Sequence, residues 1–188
     1  MNQYAIFALP DPETCDAIRG FQNRLSGETG NFMAQKFPVH ITLFRPCRVQ
    51  RWSIPSWLKT AQKACDEFKP FSFDATGPVR VDSAVEWYEL SKGFQGYKEI
   101  CWLHSLVFNV LRRVGVEDED RNAFQGEHYR PHLTLGWGAR KKAKYPKYAA
   151  GTPNIIRGSI EKIAVARYPL KWPDQGRIVL EWVSGSGI

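Results

Sequence analysis

Two short segments hold the residues most suited to chemistry, His40-Ile41-Thr42-Leu43 and His132-Leu133-Thr134-Leu135. They use two of only four histidines and lie 92 positions apart, close to half the chain. Side chains alternate between faces along a strand, so His40 and Thr42 share one face while Ile41 and Leu43 take the other, and the second segment repeats the arrangement. Each segment therefore offers an imidazole and a hydroxyl together. Two such strands facing one another would surround a phosphodiester with the groups its cleavage needs, one histidine activating water and the other protonating the departing oxygen. An imidazole with an ordinary pKa of about 6.5 serves on either side of that exchange near neutrality, which predicts a bell-shaped pH profile. Threonine favours strands by itself, but Thr42 and Thr134 share a face with the histidines, which makes them candidate phosphate-binding groups.

Rival chemistries have less in the sequence to support them. His128 and His132 are four apart, a spacing that sets two metal ligands on one helical face. Pro131 disfavours such a helix, and no carboxylate-rich motif accompanies the pair. Cys15, Cys47, Cys65 and Cys101 are widely spaced without a C-x-x-C pair, which argues against zinc and against a disulfide framework and for reduced thiols. No nucleophile elbow, Walker-type loop or dinucleotide fingerprint is present. His104 falls in an amphipathic segment and reads as structural, and His128 falls in a loop without an assigned role. Arg45 and Trp137 each follow a motif histidine by five residues, with opposite parity, so they reach the cleft only if the chain turns at Pro46 or Gly136. Arg130 shares the parity of His132 and suits either a phosphate or a salt bridge. Tyr168 and Trp172 are candidates for stacking on a base.

The elements that must position these residues alternate between strand-like and helix-like patterns. Tyr4 to Leu9 reads as a strand, and Asp11-Pro12-Glu13 as a helix start with apolar Ala17, Ile18, Phe21 and Leu25 behind it, ended by Gly27 and Gly30. Val39 to Phe44 is the first motif strand, closed by Pro46. Ser56 is expected to cap a helix through Phe68, followed by strands over 71–81 and 85–91 that can pair as a hairpin. Tyr97 to Val114 forms an amphipathic helix. The second motif strand starts after Pro131, and strands over 157–168 and 177–183 close the chain. The pattern predicts an α+β fold with mainly antiparallel sheet.

With 188 residues, 43% of them hydrophobic and 13% aromatic, the chain can bury a substantial core as one domain or two joined lobes. The first residues lack a basic region and a long apolar run, so neither a signal peptide nor a membrane span is expected, and a cytoplasmic protein is. A net charge of +7 favours an anionic partner. Basic residues follow both motifs, Arg45, Arg48 and Arg51 after the first, then Arg140, Lys141, Lys142, Lys144 and Lys147 after the second. Trp52, Tyr145 and Tyr148 interleave with them, a mix suited to phosphates and stacked bases, although a solvated lysine loop explains it equally well.

The segments PVHITLF and RPHLTLGW resemble the two-histidine (2H) phosphoesterase superfamily, and within it the RNA 2′,3′-cyclic phosphodiesterases also called 2′-5′ RNA ligase-like proteins. The resemblance spans nearly the whole chain, with specificity in the two motifs. It implies a bilobal fold with flanking helices around a central cleft, one His-x-Thr strand per lobe, the lobes pseudo-symmetric parts of a single catalytic domain over residues 1–188. It implies no metal or organic cofactor and an RNA or nucleotide substrate with a cyclic or 2′-linked phosphate; the sequence does not set the oligomeric state, for which a monomer is the favoured expectation. Carried onto this sequence, His132 would act as general base on water and His40 as general acid on the 3′ oxygen, leaving a 2′-phosphate. Thr42 and Thr134 would hold the non-bridging oxygens. Trp137 and Gly138 stand where relatives often carry a basic residue, a place that Arg45, Arg130 or the lysine-rich segment can fill. Two other functions fit the same residues: cleavage of 2′-5′-linked or cyclic oligonucleotides, and a non-catalytic RNA-binding module in RNA processing.

Overall fold

The computed structural model describes residues 3–29, 33–66, 68–81, 85–111, 114, 116–117, 129–137, 153–168 and 178–184. The strands are β1 (Gln3–Pro10), β2 (Ile41–Val49), β3 (Phe71–Val81), β4 (Val85–Glu89), β5 (Val116–Glu117), β6 (His132–Trp137), β7 (Ile155–Tyr168) and β8 (Val179–Val183). Three α-helices accompany them among the described residues, α1 (Pro12–Thr29), α2 (Ile54–Cys65) and α3 (Tyr97–Leu111). Among the described residues every strand pairing is antiparallel, in the order β5-β2-β1-β7-β3-β4-β6 with β8 also on β7. The α+β class and the antiparallel sheet are those the sequence implies.

Strand β7 makes the fold bilobal. Its first part, Ile155 to Ile160, pairs with β3, and its second part, Ile160 to Tyr168, pairs with β1. Two arms of sheet diverge from Ile160, one carrying β1, β2 and β5 with β8, the other β3, β4 and β6. One motif strand lies in each arm. The run Tyr4-Ala5-Ile6-Phe7-Ala8 in β1 is buried on both faces, as a continuous apolar strand requires. Tyr4, Ile6 and Ala8 join the main core, whereas Ala5 and Phe7 join a smaller cluster with Ala166 and Tyr168 on the opposite face.

The helices cross between the arms. α1, which follows β1, packs on β6 of the other arm and on β7, while α3, which follows β4, packs on β2. Asp11 fixes the start of α1: its carboxylate accepts from the Thr14 amide at 2.7 Å and the Thr14 hydroxyl at 2.7 Å, and also from the Ser159 amide on β7 at 2.6 Å. Gly136 lets the helix lie close to β6, since a Cβ there would sit 2.5 Å from Leu25 Cδ2.

Several boundaries differ from the sequence reading. The first motif strand runs through Pro46 to Val49, because the pairing with β1 shifts register between Tyr4 and Ile6, opposite Arg45 and Pro46, and a bulge accommodates a residue without an amide donor. α1 continues through Gly27. α2 starts at Ile54 with a proline in its first turn, so Ser56 lies inside it, and it ends at Cys65. α3 stops at Leu111 and β4 at Glu89, β7 starts at Ile155 and β8 at Val179. The two extra residues of β7 are recruited by the β3 ladder, Ile155 against Thr76 and Ile156 against Ala75. The 140–148 basic segment, His128, Trp172 and the side chain of Trp137 lie outside the described residues. No helix among the described residues is long and apolar enough to cross a membrane.

Candidate active site

His40, Thr42, His132 and Thr134 all line one cavity of about 410 Å³, so the two arms bring both motifs to a single volume. The local construction is the same in each copy. His40 Nδ1 bonds the Pro38 carbonyl at 2.8 Å, and His132 Nδ1 bonds the Arg130 carbonyl at 2.7 Å, two residues back in both cases. A carbonyl only accepts, so each Nδ1 carries its hydrogen and each neutral ring keeps its lone pair on Nε2.

An aromatic residue of the neighbouring strand lies against each imidazole. Phe7 on β1 pairs with Thr42 and stacks on His40 at 3.8 Å between centroids, and Trp87 on β4 pairs with Thr134 and stacks on His132 at 4.2 Å. The sequence reading missed both. Their signal is a register property: each faces the motif threonine across the ladder, and register is not visible along one strand.

A register shift also falls at the same point of each motif. On β2 the pairing skips Leu43, and on β6 it skips Leu135, each the residue after the motif threonine. Bulges leave a residue out of the ladder and re-aim the chain beside a site. Side chains meet the carbonyls there: the Tyr129 hydroxyl donates to Thr42 O at 2.9 Å, His104 Nδ1 donates to Leu43 O at 2.7 Å, and Gln22 Nε2 donates to Thr134 O at 2.8 Å. His104 therefore has the structural place expected of it, buried and stacked on Tyr129 at 3.8 Å.

The two imidazoles have different electrostatic surroundings. Burial pulls His40 down to about 4, against the Pro38 carbonyl, and His132 across the cavity adds to the fall. Its neighbours are apolar or aromatic, Phe7 on one side with Phe37 and Tyr168 beyond. Burial also lowers His132, but there the Arg130 carbonyl and the Glu89 carboxylate favour the charged ring while the Arg130 guanidinium opposes it. Glu89 is the register partner of His132.

Among the remaining candidates, Tyr168 lines the cavity and packs edge-on against Phe7 and Phe37. Arg130 is exposed, holds Glu89 at 2.7 Å and lies over the Trp87 ring at 5.5 Å. It takes the salt-bridge alternative and is not among the residues lining the cavity. Arg45 does not line it either, while its neighbour Pro46 does. No metal-binding group of histidine, cysteine and acidic residues occurs among the described residues.

The family model described as the 2'-5' RNA ligase superfamily matches residues 10–169, which include both motifs and most of the strands just described. The chain belongs to that superfamily. Its two-histidine motifs are those of the 2H phosphoesterases, enzymes that act on phosphodiester bonds. Solved structures repeat the fold of this superfamily member over its length. A phosphoesterase crystal structure is 14% identical with a TM-score of 0.69, covering 97% of this chain and 96% of its own. E. coli LigT complexed with 3'-AMP is 14% identical with a TM-score of 0.63 and the same coverage. A Thermus thermophilus protein, TT0787, is 16% identical with a TM-score of 0.60, covering 96% of each chain. No curated protein matches in sequence.

Proposed function

We propose that this chain hydrolyses 2′,3′-cyclic phosphate ends of RNA or small nucleotides to 2′-phosphates, with His40 and His132 as the proton-transfer pair. One observation carries the reading: two imidazoles, each with Nδ1 tied to a carbonyl and a threonine two residues on, line the same cavity. The volume of about 410 Å³ is within the range of small-ligand sites, and the net charge of +7 suits an anionic substrate. The Thr42 and Thr134 hydroxyls donate to the non-bridging oxygens as charge builds there, and Tyr168 offers a wall for the base.

The surroundings of the rings support a division of labour opposite to the one the family resemblance implies. His40, held neutral among aromatic rings, takes a proton from water at Nε2 as the new P–O bond forms. His132, whose charged form both Glu89 and the bound phosphate's negative charge favour, takes up a second proton at Nε2 in the substrate complex and gives it to O3′ as the P–O3′ bond breaks. The 2′-phosphate leaves with a free 3′-hydroxyl, and exchange with solvent returns both rings to their starting states.

Phosphorus NMR of a panel of 2′,3′-cyclic nucleotides, cyclic-ended RNAs, 2′-5′ dimers and cyclic dinucleotides tests the substrate class and the product. Turnover confined to 2′-5′ linkages would overturn it. On the accepted substrate His40→Ala and His132→Ala are each expected to lose on the order of a hundredfold or more. With an aryl phosphodiester whose leaving group needs no proton, His132→Ala recovers most of its rate and His40→Ala does not. Recovery of His40→Ala instead would exchange the two roles.

A further inference from the structure

The two motif strands belong to different arms of the sheet and are not ladder partners of each other, with four strands between them in the pairing order. Among the described residues, Gln22 and Tyr129 link the two motifs by side-chain hydrogen bonds, and they do so reciprocally. Gln22, on the helix that leads toward the first motif, donates to the Thr134 carbonyl of the second at 2.8 Å. Tyr129, in the segment that leads into the second motif, donates to the Thr42 carbonyl of the first at 2.9 Å. Each bond lands on the carbonyl of a motif threonine, immediately before the skipped leucine.

Both donors are held in place by partners of their own. Arg19 donates to Gln22 Oε1 at 2.7 Å and to the Phe37 carbonyl at 2.8 Å, which fixes the Gln22 amide with its nitrogen toward Thr134. The same guanidinium thus touches the segment before His40 while orienting the side chain that reaches the second motif. Tyr129 lies flat on His104, whose own Nδ1 bonds Leu43 O. Burial pushes the Tyr129 phenol well above its ordinary range, so it stays a donor. Gln22, with 2% of its surface exposed, is a buried polar side chain whose bonds are otherwise costly to provide.

We propose that Gln22 and Tyr129 are positioning residues, a reciprocal clasp that sets the distance between the two motif histidines. The inference rests on the two-histidine phosphodiesterase reading for its effect on rate, though not for its geometry. Proton transfer requires both imidazoles within hydrogen-bond reach of one phosphorus centre, and small misplacements cost rate steeply. Loss of one clasp bond keeps every histidine, threonine and stacked ring in the chain but lets the spacing between the two motifs relax.

Tyr129→Phe removes one hydroxyl, and Gln22→Met removes one amide at nearly constant size. Each is expected to lower kcat about tenfold or more with KM changed less than about threefold. Arg19→Lys, which keeps the charge but replaces the two-nitrogen fork with a single ammonium, falls between the wild type and Gln22→Met. A role confined to stability would lower Tm while leaving kcat of the folded protein intact, and that result overturns the proposal. A second readout needs no turnover. Burial first, and His132 across the cavity to a smaller extent, hold His40 down, so a clasp that opens admits water and draws the rings apart, and the His40 titration moves upward in both variants, measured by NMR of labelled imidazoles. An unchanged His40 curve overturns the clasp. A wild type inactive on the whole substrate panel overturns the function instead, while the titration still decides the clasp.

Discussion

An imidazole between aromatic rings and one beside a carboxylate are different reagents, and this chain holds one of each. Phe7 covers His40 and Trp87 covers His132, but only His132 has an acidic side chain as its register partner. Burial lowers His40 to about 4, and Phe7, the ring stacked on it, is itself only 1% exposed. Phe7→Leu keeps an apolar side chain but admits water beside the ring. The His40 pKa should then rise by about one unit or more toward its ordinary value, at a stability cost of roughly 1–2 kcal/mol. Histidine-resolved NMR titration measures the first and denaturant unfolding the second; an unmoved His40 would mean that the stacked ring does not govern its desolvation. The histidines and threonines were legible because type and parity repeat along the chain. Their aromatic covers were not, because Phe7 and Trp87 read as ordinary strand residues until the ladder sets them opposite Thr42 and Thr134.

At the scale of elements, α1 matters more than its place between two strands suggests. It carries Arg19 and Gln22 to the site, and its start is pinned by a carboxylate that also reaches across to β7. Although burial raises it, Asp11 is held below its ordinary pKa by the amides of Ser159 and Thr14. Gly158 is where β7 passes this cap, and a Cβ there would lie 2.1 Å from Thr14 Oγ1 and 2.9 Å from Asp11 Oδ2. Asp11→Ala should cost about 1–2 kcal/mol as a lost helix cap, and Gly158→Ala about 1–3 kcal/mol through overpacking. Chemical denaturation reads both, and a loss well under about 0.5 kcal/mol in each would show that the cap does not anchor the helix. The helix start was visible in Asp11-Pro12-Glu13, since capping is a local rule. The second anchor at Ser159 was not, because it joins residues 148 positions apart. The passage of β2 through Pro46 was hidden for the same kind of reason: a proline reads as a strand end unless the strand bulges there, as β2 does where Arg45 and Pro46 together oppose Ala5.

For the whole molecule, the cavity binds three consequences together: two arms meet, two rings lose water, and positive charge there becomes expensive unless an anion shares it. Strand alternation and the paired motifs were enough to anticipate an antiparallel α+β fold, but the divergence of both arms from Ile160 and the crossing of α1 and α3 between them depend on long-range packing. That assembly gives stability a definite pH dependence. His40, His132 and His104 all have pKa values lowered by burial. As pH falls from about 6.5 toward 4, the unfolded chain takes up protons that the folded chain refuses, so this stability is present above the ordinary histidine pKa and lost below it. Inorganic phosphate should counter the loss, because an anion between the rings favours their protonated forms. Thermal unfolding should therefore show Tm dropping between about pH 7 and 5, with phosphate raising Tm more at about pH 5.5 than at 7.5. The His40→Ala, His132→Ala double variant should flatten the pH slope and lose most of the phosphate effect, leaving the share of His104. A phosphate effect that persists undiminished in the double variant would place the anion elsewhere on this basic chain, and with it the reason for the cavity.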